Sequence, residues 1–255
     1  MRDLFDLSGR VALVTGGGRG IGRAIAVELA NAGAAVVPVA RSTAEIDAVA
    51  DRIEDDGGDA LAVTADVTDP DAVADAIDRT TDAFGGVDVV VNNAGFNPDD
   101  ALGRPEDVST ASLDRVLDVN LNGAYEVTTA AADALLESDG GAVINVASVG
   151  GLVGLPRQHP YVASKHGLVG LTKSVAIDWA PDVRVNAIAP GYVSTELTDD
   201  LEADDDLRRS ILDRTPLDRF ADPEEIAGPA VFLASDAASY VTGEVLAADG
   251  GWTAR

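Results

Sequence analysis

The sequence predicts an α/β fold, with one doubly wound parallel sheet of about seven strands and helices on both faces. Short apolar runs typical of buried strands alternate with longer segments of helical periodicity along the chain. The first run is followed by a glycine-rich turn and a helix, an arrangement that binds phosphate groups in such folds. The 255 residues, 46% of them hydrophobic, suffice for one large core, so we expect a single domain over residues 1–255.

The composition excludes several classes of protein and site. The chain has no cysteine, which excludes a disulfide framework and thiolate chemistry, and we expect no metal site. No apolar run reaches the ~18 residues of a membrane span, so we expect no membrane partner. Residues 1–6 carry acids and lack the apolar core of a signal peptide. We therefore expect a cytoplasmic protein.

The net charge of −26 arises from 44 acidic and 18 basic residues. This self-repulsion destabilises a compact state at low salt, whereas about 1 M salt shortens the Debye length to about 3 Å. We therefore expect a protein adapted to a high-salt cytoplasm. The high apolar content argues against an acidic disordered chain, and the charge argues against a nucleic-acid partner.

The first βα unit carries a candidate phosphate loop. Residues 11–14 are predicted as a buried strand ending at Thr15, and residues 23–31 as a helix closed by Gly33. The loop between them includes Gly16, Arg19, Gly20, Ile21 and Gly22. Glycines let the backbone approach a pyrophosphate, and a helix N-terminus favours its charge. A glycine-rich turn without a ligand is the alternative for this loop taken by itself.

The second strand, predicted over residues 35–40, ends at a position that distinguishes dinucleotides. Pro38 conflicts with the strand because it removes a backbone donor. Arg41 follows directly, where an acid would bind a ribose 2′-hydroxyl and an arginine a 2′-phosphate. Arg19 supplies a second guanidinium, so the pair favours a phosphate. Two solvated arginines are the alternative interpretation.

The alternation of strands and helices continues. We predict helices over residues 44–56 and 70–84, the second capped by Asp69, and strands over residues 60–65 and 87–91. The first of these strands ends at Asp66 and Val67, and the second is followed by small and amide residues that include Asn93, Ala94 and Gly95. The residues after the second strand suit a nucleoside pocket, and they fit a plain turn equally well.

A long helical pattern follows the fourth strand. Residues 96–109 are polar and are predicted as a loop, and residues 110–138 as one or two helices. Asn120 lies on the apolar face of this pattern, where an unpaired amide is costly. We expect Asn120 either to bond to backbone or to bend the helix and hold a water molecule.

A hydroxyl, a phenol and an ammonium can converge near the fifth strand. Residues 142–147 are an apolar run that ends at Ser148, and Tyr161 and Lys165 lie on a predicted helix over residues 161–179. Side chains four residues apart share one face of a helix. A serine at the carboxyl end of a strand can face the same spot. The phenol is the natural acid/base, and a neighbouring ammonium is expected to lower its pKa from about 10.

The last third of the chain completes the sheet. A sixth strand is predicted over residues 183–188, followed by Pro190 and Gly191. The strongly charged residues 192–220 are predicted as a mobile flap over the site. A further helix leads to a last strand over residues 244–248.

Together these motifs resemble the short-chain dehydrogenase/reductase family in its short form, over about residues 7–251. The resemblance is carried, in family order, by Thr15-Gly16-x-x-x-Gly20-Ile21-Gly22, Asp66-Val67, Asn92-Asn93-Ala94-Gly95, Asn120, Ser148, Tyr161-x-x-x-Lys165 and Pro190-Gly191. It implies a Rossmann-type fold, a nicotinamide dinucleotide, and hydride transfer between the nicotinamide and a secondary alcohol or carbonyl. With Arg19 and Arg41 present we expect a preference for NADP(H), and NAD(H) is the alternative cofactor.

The resemblance also implies residue roles. Tyr161 would exchange a proton with the substrate oxygen, Lys165 would lower its pKa and hold the nicotinamide ribose, and Ser148 would polarise that oxygen. Asn120 would anchor a water molecule that passes the proton to solvent. The implied cofactor contacts are Gly16, Arg19, Gly20, Ile21, Gly22, Arg41, Asp66, Val67, Asn93, Ala94, Gly95, Tyr161, Lys165, Pro190, Gly191, Val193 and Thr195.

The small-molecule substrate stays open between two classes. Residues 4–10 resemble dehydrogenases of sugar acids, and the body of the chain also resembles 3-oxoacyl thioester reductases. Arg157 and His159 precede Tyr161, where a cation can bind a carboxylate, although loop residues of this kind are often solvated. A non-catalytic dinucleotide sensor is the alternative from another class. The resemblance further implies a homotetramer, with the helix of Tyr161 and the last strand at its interfaces.

Overall fold

Seven parallel strands form one sheet in the computed structural model, which describes residues 4–254. The strands are β1 (Val11–Thr15), β2 (Ala35–Ala40), β3 (Val63–Thr64), β4 (Val89–Asn92), β5 (Gly141–Val146), β6 (Val183–Pro190) and β7 (Val245–Ala248). Their order across the sheet is β3-β2-β1-β4-β5-β6-β7. The strand order reverses between β1 and β4, which creates the crevice where ligands bind in open α/β sheets. The predicted fold class is confirmed.

Ten α-helices lie among the described residues. They are α1 (Gly20–Asn31), α2 (Thr43–Asp55), α3 (Pro70–Phe84), α4 (Thr110–Leu117), α5 (Gly123–Ala130), α6 (Ala132–Glu137), α7 (His159–Trp179), α8 (Asp199–Ala203), α9 (Asp205–Leu212) and α10 (Glu224–Ala234). Helices α1, α2 and α10 cover one face of the sheet, and α3, α5, α6 and α7 cover the other.

Two apolar layers separate the sheet from its helices. Successive residues of a strand enter opposite layers: Val90 packs with Ile77 on the α3 side, and Val91 packs with Ile25 on the α1 side. Both faces of the central strands are therefore dry, which explains why these strands are continuous apolar runs.

Local signals placed several helix ends correctly. Asp69 accepts hydrogen bonds from the backbone N–H groups of Asp71 and Ala72 at 3.1 and 3.3 Å, as expected for the cap of α3. Gly33 follows α1 with a φ of +101°. Helix α1 starts at Gly20, three residues before its predicted start, so the glycine loop runs directly into the first helical turn.

Strand β3 is shorter than predicted, and Pro38 supplies the reason. Ala60 forms an isolated bridge with Val36, and regular pairing resumes only where Val39 faces Val63. The Val36–Ala60 bridge and the Val39–Val63 pair have the same register, which places residue 62 opposite Pro38. The nitrogen of Pro38 has no hydrogen to donate. The prediction of a strand over residues 60–65 was therefore too long, because the proline interrupts the ladder without shifting its register.

The predicted helix over residues 110–138 is divided. A π-helical turn, Asp118–Asn122, joins α4 to α5, and a second break at Ala131 separates α5 from α6. The π-turn contains Asn120, and such turns are often found at functional sites.

Two expectations concern membrane spans and the first six residues. Within residues 4–254, the helices are each too short or too polar to cross a membrane. The expectation for residues 1–6 falls partly on residues 1–3, which lie outside the described part.

Candidate functional site

The candidate site lies at the carboxyl ends of β1, β4, β5 and β6. Thr15, the last residue of β1, connects β1 to the segment after β4. Its Oγ1 accepts hydrogen bonds from the N–H groups of Asn93 and Ala94, both at 3.1 Å. Asn93 Nδ2 in turn donates to the carbonyl oxygens of Thr15 at 3.0 Å and of Gly16 at 3.2 Å. These bonds fix the start of the glycine loop against the end of β4.

The glycines of this loop are required by close contacts. Gly16 has a φ of +63°, and a Cβ there would lie 2.8 Å from Asn93 Nδ2. A Cβ at Gly22 would lie 2.1 Å from the carbonyl oxygen of Gly16. Arg19 stands at the N-cap of α1 and gives no side-chain cap, so the first N–H groups of the helix have no side-chain acceptor from that position. A tight glycine loop before such a helix end fits the pyrophosphate of a dinucleotide.

Two arginines, Arg19 and Arg41, form what we call the arginine rim. Arg19 Nη1 lies 2.6 Å from Glu196 Oε2, and both side chains are more than 60% exposed. Arg41 Nη1 lies 3.8 Å from Asp66 Oδ2, and the Arg41 side chain is 80% exposed. Exposed pairs of this kind contribute about 0.2–1 kcal/mol each, so neither carboxylate holds its arginine firmly.

Asp66 and Val67 follow β3 at the edge of the crevice. Asp66 Oδ1 accepts hydrogen bonds from the N–H and hydroxyl groups of Thr68, and the backbone bond is the main reason that the Asp66 pKa is lowered. Val67 is buried against Gly123 of α5, where a Cβ would lie 2.7 Å from Val67 Cγ2. Asp66 is thus held as an ionised acceptor beside an apolar wall.

Ser148, Tyr161 and Lys165, which we call the proton-transfer group, converge beyond the end of β5. Ser148 Oγ accepts a hydrogen bond from Gly150 N at 3.0 Å, and its hydroxyl lies near enough to the phenol of Tyr161 to lower the pKa of that phenol. Lys165 is only 4% exposed, and its Nζ donates to the carbonyl oxygen of Val146 at 2.8 Å. The same Nζ lies 5.7 Å from the centre of the Tyr161 ring.

Burial dominates the acid–base properties of this group. It raises the pKa of Tyr161, outweighing the hydrogen bond with Ser148 that lowers it, and the Tyr192 phenol raises it further. Burial also lowers the pKa of Lys165 to about 8. Burial thus sets the direction of the Tyr161 shift, and the lowering of its pKa by Lys165 stays a prediction.

Asn120 ties the loop after β4 to α7. Its Nδ2 donates to the carbonyl oxygen of Phe96 at 3.0 Å and to Ser164 Oγ at 3.2 Å, and its Oδ1 accepts from Phe96 N at 2.9 Å. Asn120 thus both bonds to backbone and lies in an irregular helical turn. A Cβ at Gly95 would lie 3.3 Å from Asn120 Oδ1 and 3.5 Å from Lys165 Nζ, so these three residues meet at one point.

The remaining predicted contacts lie beyond β6. Gly191 packs against Asp249, where a Cβ would lie 2.8 Å from its Cα. The methyl group of Thr195 faces the glycine loop, 3.3 Å from where a Cβ at Gly20 would stand. Val193 is 3% exposed and packs in the core, so only its backbone is available to a ligand. Pro190, the last residue of β6, is buried, whereas Ile21 on α1 and Ala94 after β4 are partly buried against the two apolar layers.

Two polar or aromatic clusters next to the site were missed by the sequence reasoning. Asn92 Nδ2 donates to Asn145 Oδ1 and to Thr128 Oγ1, and Asn145 Nδ2 donates to Thr172 Oγ1, all at 2.9 Å. This buried chain links β4 and β5 to α5 and α7 beneath the site. Its signal in the sequence is an asparagine inside the apolar run of β5.

The second cluster is aromatic and includes Tyr192, whose phenol raises the pKa of Tyr161. Tyr192 packs edge-on against Phe220 and Trp252, with ring centres 5.8 and 6.0 Å apart, and the Arg214 guanidinium lies 4.4 Å from the centre of the Trp252 ring. These residues are up to 60 positions apart in sequence, so only the tertiary fold reveals them.

Comparison with known proteins gives the site its context. Residues 16–253 match the family model described as enoyl-(acyl carrier protein) reductase. The 3-oxoacyl-[acyl-carrier-protein] reductase of Synechocystis sp. is 43% identical over 248 residues, 96% of this chain and 97% of that protein. The 2-dehydro-3-deoxy-D-gluconate 5-dehydrogenase of Dickeya dadantii is 39% identical over 254 residues, 98% of each chain.

A solved structure resembles the whole chain. The gluconate 5-dehydrogenase of Burkholderia cenocepacia, in complex with NADP and tartrate, superposes with a TM-score of 0.94 at 37% identity, covering 99% of this chain and 98% of that one. Likeness of this extent, with the motifs in place, identifies the chain as a member of the short-chain dehydrogenase/reductase family of oxidoreductases.

Proposed function

We propose that this oxidoreductase interconverts a secondary alcohol and a ketone of a sugar acid, with NADP(H) as its preferred cofactor. The observation that carries the proposal is the convergence of Ser148, Tyr161 and Lys165 beyond β5. The sugar-acid assignment draws on the resemblance of residues 4–10 and on the Dickeya and Burkholderia relatives, whose names specify gluconate derivatives.

Tyr161 is proposed as the acid/base. In the direction of reduction its phenol donates a proton to the carbonyl oxygen of the substrate, and in the direction of oxidation the phenolate takes the hydroxyl proton back. Its raised pKa keeps the phenol protonated at neutral pH, the form that reduction requires. Ser148, close to the phenol, donates to the substrate oxygen and orients it.

Lys165 is proposed to stabilise the phenolate that proton transfer leaves behind. With a pKa lowered to about 8, most Lys165 side chains carry an ammonium at neutral pH. One of its donors is taken by Val146 O, so others are available for a ribose hydroxyl or a water molecule. Asn120, next to Lys165 across Gly95, suits a water-mediated proton path to solvent.

The crevice holds the residues proposed to bind the dinucleotide. The glycine loop and the N-terminus of α1 suit the pyrophosphate, Asp66 and Val67 suit the adenosine, and Asn93 and Thr195 suit the ribose and the carboxamide. When bound, a nicotinamide dinucleotide supplies or accepts the hydride at the substrate carbon. Preference for NADP(H) rests on Arg19 and Arg41, together with the lack of an acid directly after β2.

Reduction of 3-oxoacyl thioesters is the second candidate function. It is favoured by the Synechocystis relative, which carries that name and is 43% identical over 96% of this chain. Both candidates use the same proton-transfer group, so only the substrate distinguishes them.

The test is a panel assayed by NADPH and NADH absorbance in molar KCl. We expect kcat/KM for 5-keto-D-gluconate and related keto sugar acids to exceed that for a 3-oxoacyl thioester. The reverse order would assign the thioester function. Binding of NADPH without turnover of either class would favour a non-catalytic dinucleotide sensor.

We further propose that this enzyme works as a homotetramer in a high-salt cytoplasm. Apolar side chains support assembly, since Ile177 on α7 is 78% exposed, Tyr125 on α5 is 51% exposed, and Tyr240 near β7 is fully exposed. The net charge of −26 supports a high-salt environment. Light scattering should give four chains, and the melting temperature should rise steeply between about 0.1 M and about 2 M KCl. A dimer would contradict the proposed tetramer, and a melting temperature independent of salt would contradict the proposed high-salt cytoplasm.

A further inference from the structure

We propose that Arg214 is the substrate-binding cation of this site and that it pairs with the carboxylate of the acid. The inference rests on the proposed function, and it assigns the acid specificity to a residue outside the family motifs. Its basis is the path from the phenol of Tyr161 through Tyr192 and Trp252 to the Arg214 guanidinium.

The aromatic contacts connect Arg214 to the end of β6. Tyr192 comes directly after Pro190 and Gly191 at the end of β6, the strand next to β5. Its ring packs edge-on against Trp252, and the Arg214 guanidinium covers the Trp252 ring at 4.4 Å. The Tyr192 phenol raises the pKa of Tyr161, and the charge of Arg214 lowers that of Tyr192, which buried surroundings raise. The phenol of Tyr192 therefore lies within electrostatic reach of both groups.

Packing holds the Arg214 segment in place. Thr215 is buried, and its Oγ1 donates to the carbonyl oxygen of Ile211 at 2.9 Å. Leu217 N donates to the carbonyl oxygen of Gly250 at 3.1 Å, and a Cβ at Gly250 would lie 2.9 Å from Thr215 Cγ2. This part of the predicted flap thus packs closely on the turn that precedes Trp252, so the guanidinium is presented from a fixed base.

Arg214 is also free to accept an anion. No carboxylate among residues 4–254 lies within 4.0 Å of its guanidinium, although the chain carries 44 acids. By contrast, Arg219 on the same segment is paired with Glu225. A guanidinium stacked on an indole keeps its edge donors available, and these match a carboxylate in two parallel hydrogen bonds.

Arg157 is the rival cation. It lies in the loop before α7 with a φ of +60°, and its carbonyl oxygen accepts from Gly103 N at 3.0 Å. Like that of Arg214, its side chain is exposed, but it has no aromatic ring beneath it among the contacts of residues 4–254. The Arg157 guanidinium must therefore be ordered when an anion binds, whereas stacking on Trp252 already restricts that of Arg214.

The first test compares two substrates that differ only in charge. 5-Keto-D-gluconate carries a carboxylate where L-sorbose carries a CH₂OH group. Losing one charge-assisted pair corresponds to about 10- to 100-fold in binding. We expect Arg214→Gln to raise the KM for the keto acid by that factor with little change in kcat, and to leave the KM for L-sorbose unchanged. Arg214→Lys should restore part of the loss, and Arg208→Gln, on α9, is the matched control.

The second test reads binding without turnover. The chain has two tryptophans, so Trp179→Phe leaves Trp252, which lies under Arg214, as the sole indole. We expect D-gluconate, added to the NADP⁺ complex, to change this fluorescence saturably, and D-glucitol to have no effect. The response should be lost with Arg214→Gln added.

The outcomes separate the two proposals. Saturable binding of D-gluconate that depends on Arg214, without turnover, would contradict the proposed function and support this inference. Turnover of keto acids with an unchanged KM in Arg214→Gln would contradict the inference alone. A KM that rises in Arg157→Gln instead would transfer the role to Arg157.

Discussion

The proton-transfer group and the arginine rim lie in one crevice but differ in burial. Lys165 is 4% exposed and donates a hydrogen bond to the end of β5, and Ser148 is 8% exposed. In the rim, Arg41 is 80% exposed, and Arg19 is paired with the exposed carboxylate of Glu196. In the proton-transfer group, burial sets the direction of both pKa shifts, and salt has less access than at the rim. At the rim, salt screens the charges, and a ligand can replace the carboxylates that pair with the arginines. We therefore expect the buried part to determine the rate and the rim to determine the choice of cofactor.

The largest effect is expected from Tyr161→Phe. The change removes the proton donor but keeps the ring, so kcat should fall by about 10²–10⁴ while the fold and NADPH binding are retained. Tyr240→Phe makes the same chemical change at a side chain that we place on the assembly surface, so kcat should be unchanged. Stopped-flow NADPH oxidation gives the rate, and fluorescence titration gives the binding. More than a tenth of the wild-type rate in Tyr161→Phe would exclude Tyr161 as the acid/base.

Cofactor choice should respond to Arg41→Asp. The new carboxylate repels the 2′-phosphate of NADP and accepts a bond from the 2′-hydroxyl of NAD. Each charge-assisted bond contributes roughly 1.5–3 kcal/mol before screening, so the ratio of kcat/KM values should shift toward NAD by about 10²-fold. Arg79→Asp, an exposed change of equal charge on α3, is the control. If the wild type used both cofactors equally, the arginine rim would have no role in cofactor choice.

Lys165→Met tests the cost of burying an ammonium. The folded-state pKa of Lys165 is about 8 against an ordinary 10.5, so the unfolded chain binds more protons between these values. Wild-type stability therefore gains with rising pH in this window. The stability advantage of the methionine variant should shrink by about 2 kcal/mol between about pH 7 and about pH 9.5.

Lys173 is the matched control for this experiment, because it is the other lysine of the chain and is exposed. In denaturant melts, the difference in unfolding free energy between Lys173→Met and the wild type should be the same at both pH values. If Lys165→Met showed the same lack of pH dependence, the Lys165 pKa would not be lowered.

The smallest effect is expected at the Arg19–Glu196 pair. Glu196→Gln removes the carboxylate that competes with a phosphate for Arg19, which should tighten NADPH binding by about two- to fivefold. Glu106→Gln, in another exposed pair with Arg104, provides the comparison. Weaker NADPH binding in Glu196→Gln would mean that Glu196 positions Arg19 for the cofactor instead of competing with the cofactor for it.

Local signals account for most of the fold and for the buried part of the site. Asp69 starts α3, Gly33 follows α1, and seven apolar runs became seven strands, because each depends on neighbours in sequence. The spacing of Tyr161 and Lys165 placed both side chains on one face of α7 for the same reason.

Features set by tertiary contacts could not be predicted in this way. The ladder interrupted at Pro38 depends on which residue of β3 lies opposite. The raised pKa of Tyr161 depends on how completely the phenol is covered. Glu196 reaches Arg19 across 177 positions, and Arg214 reaches Trp252 only through the fold. The predicted mobility of residues 192–220 stays a prediction.

The most direct test measures kcat and the NADPH/NADH ratio of kcat/KM together for the wild type, Tyr161→Phe and Arg41→Asp, at matched salt with one keto sugar acid. We expect Tyr161→Phe to lower kcat at least about 10²-fold with each cofactor and to leave the ratio unchanged. Arg41→Asp should invert the ratio while kcat with the better cofactor stays near that of the wild type. If Tyr161→Phe altered the ratio, or Arg41→Asp lowered kcat with both cofactors, the division between a buried part that sets the rate and a rim that selects the cofactor would be wrong.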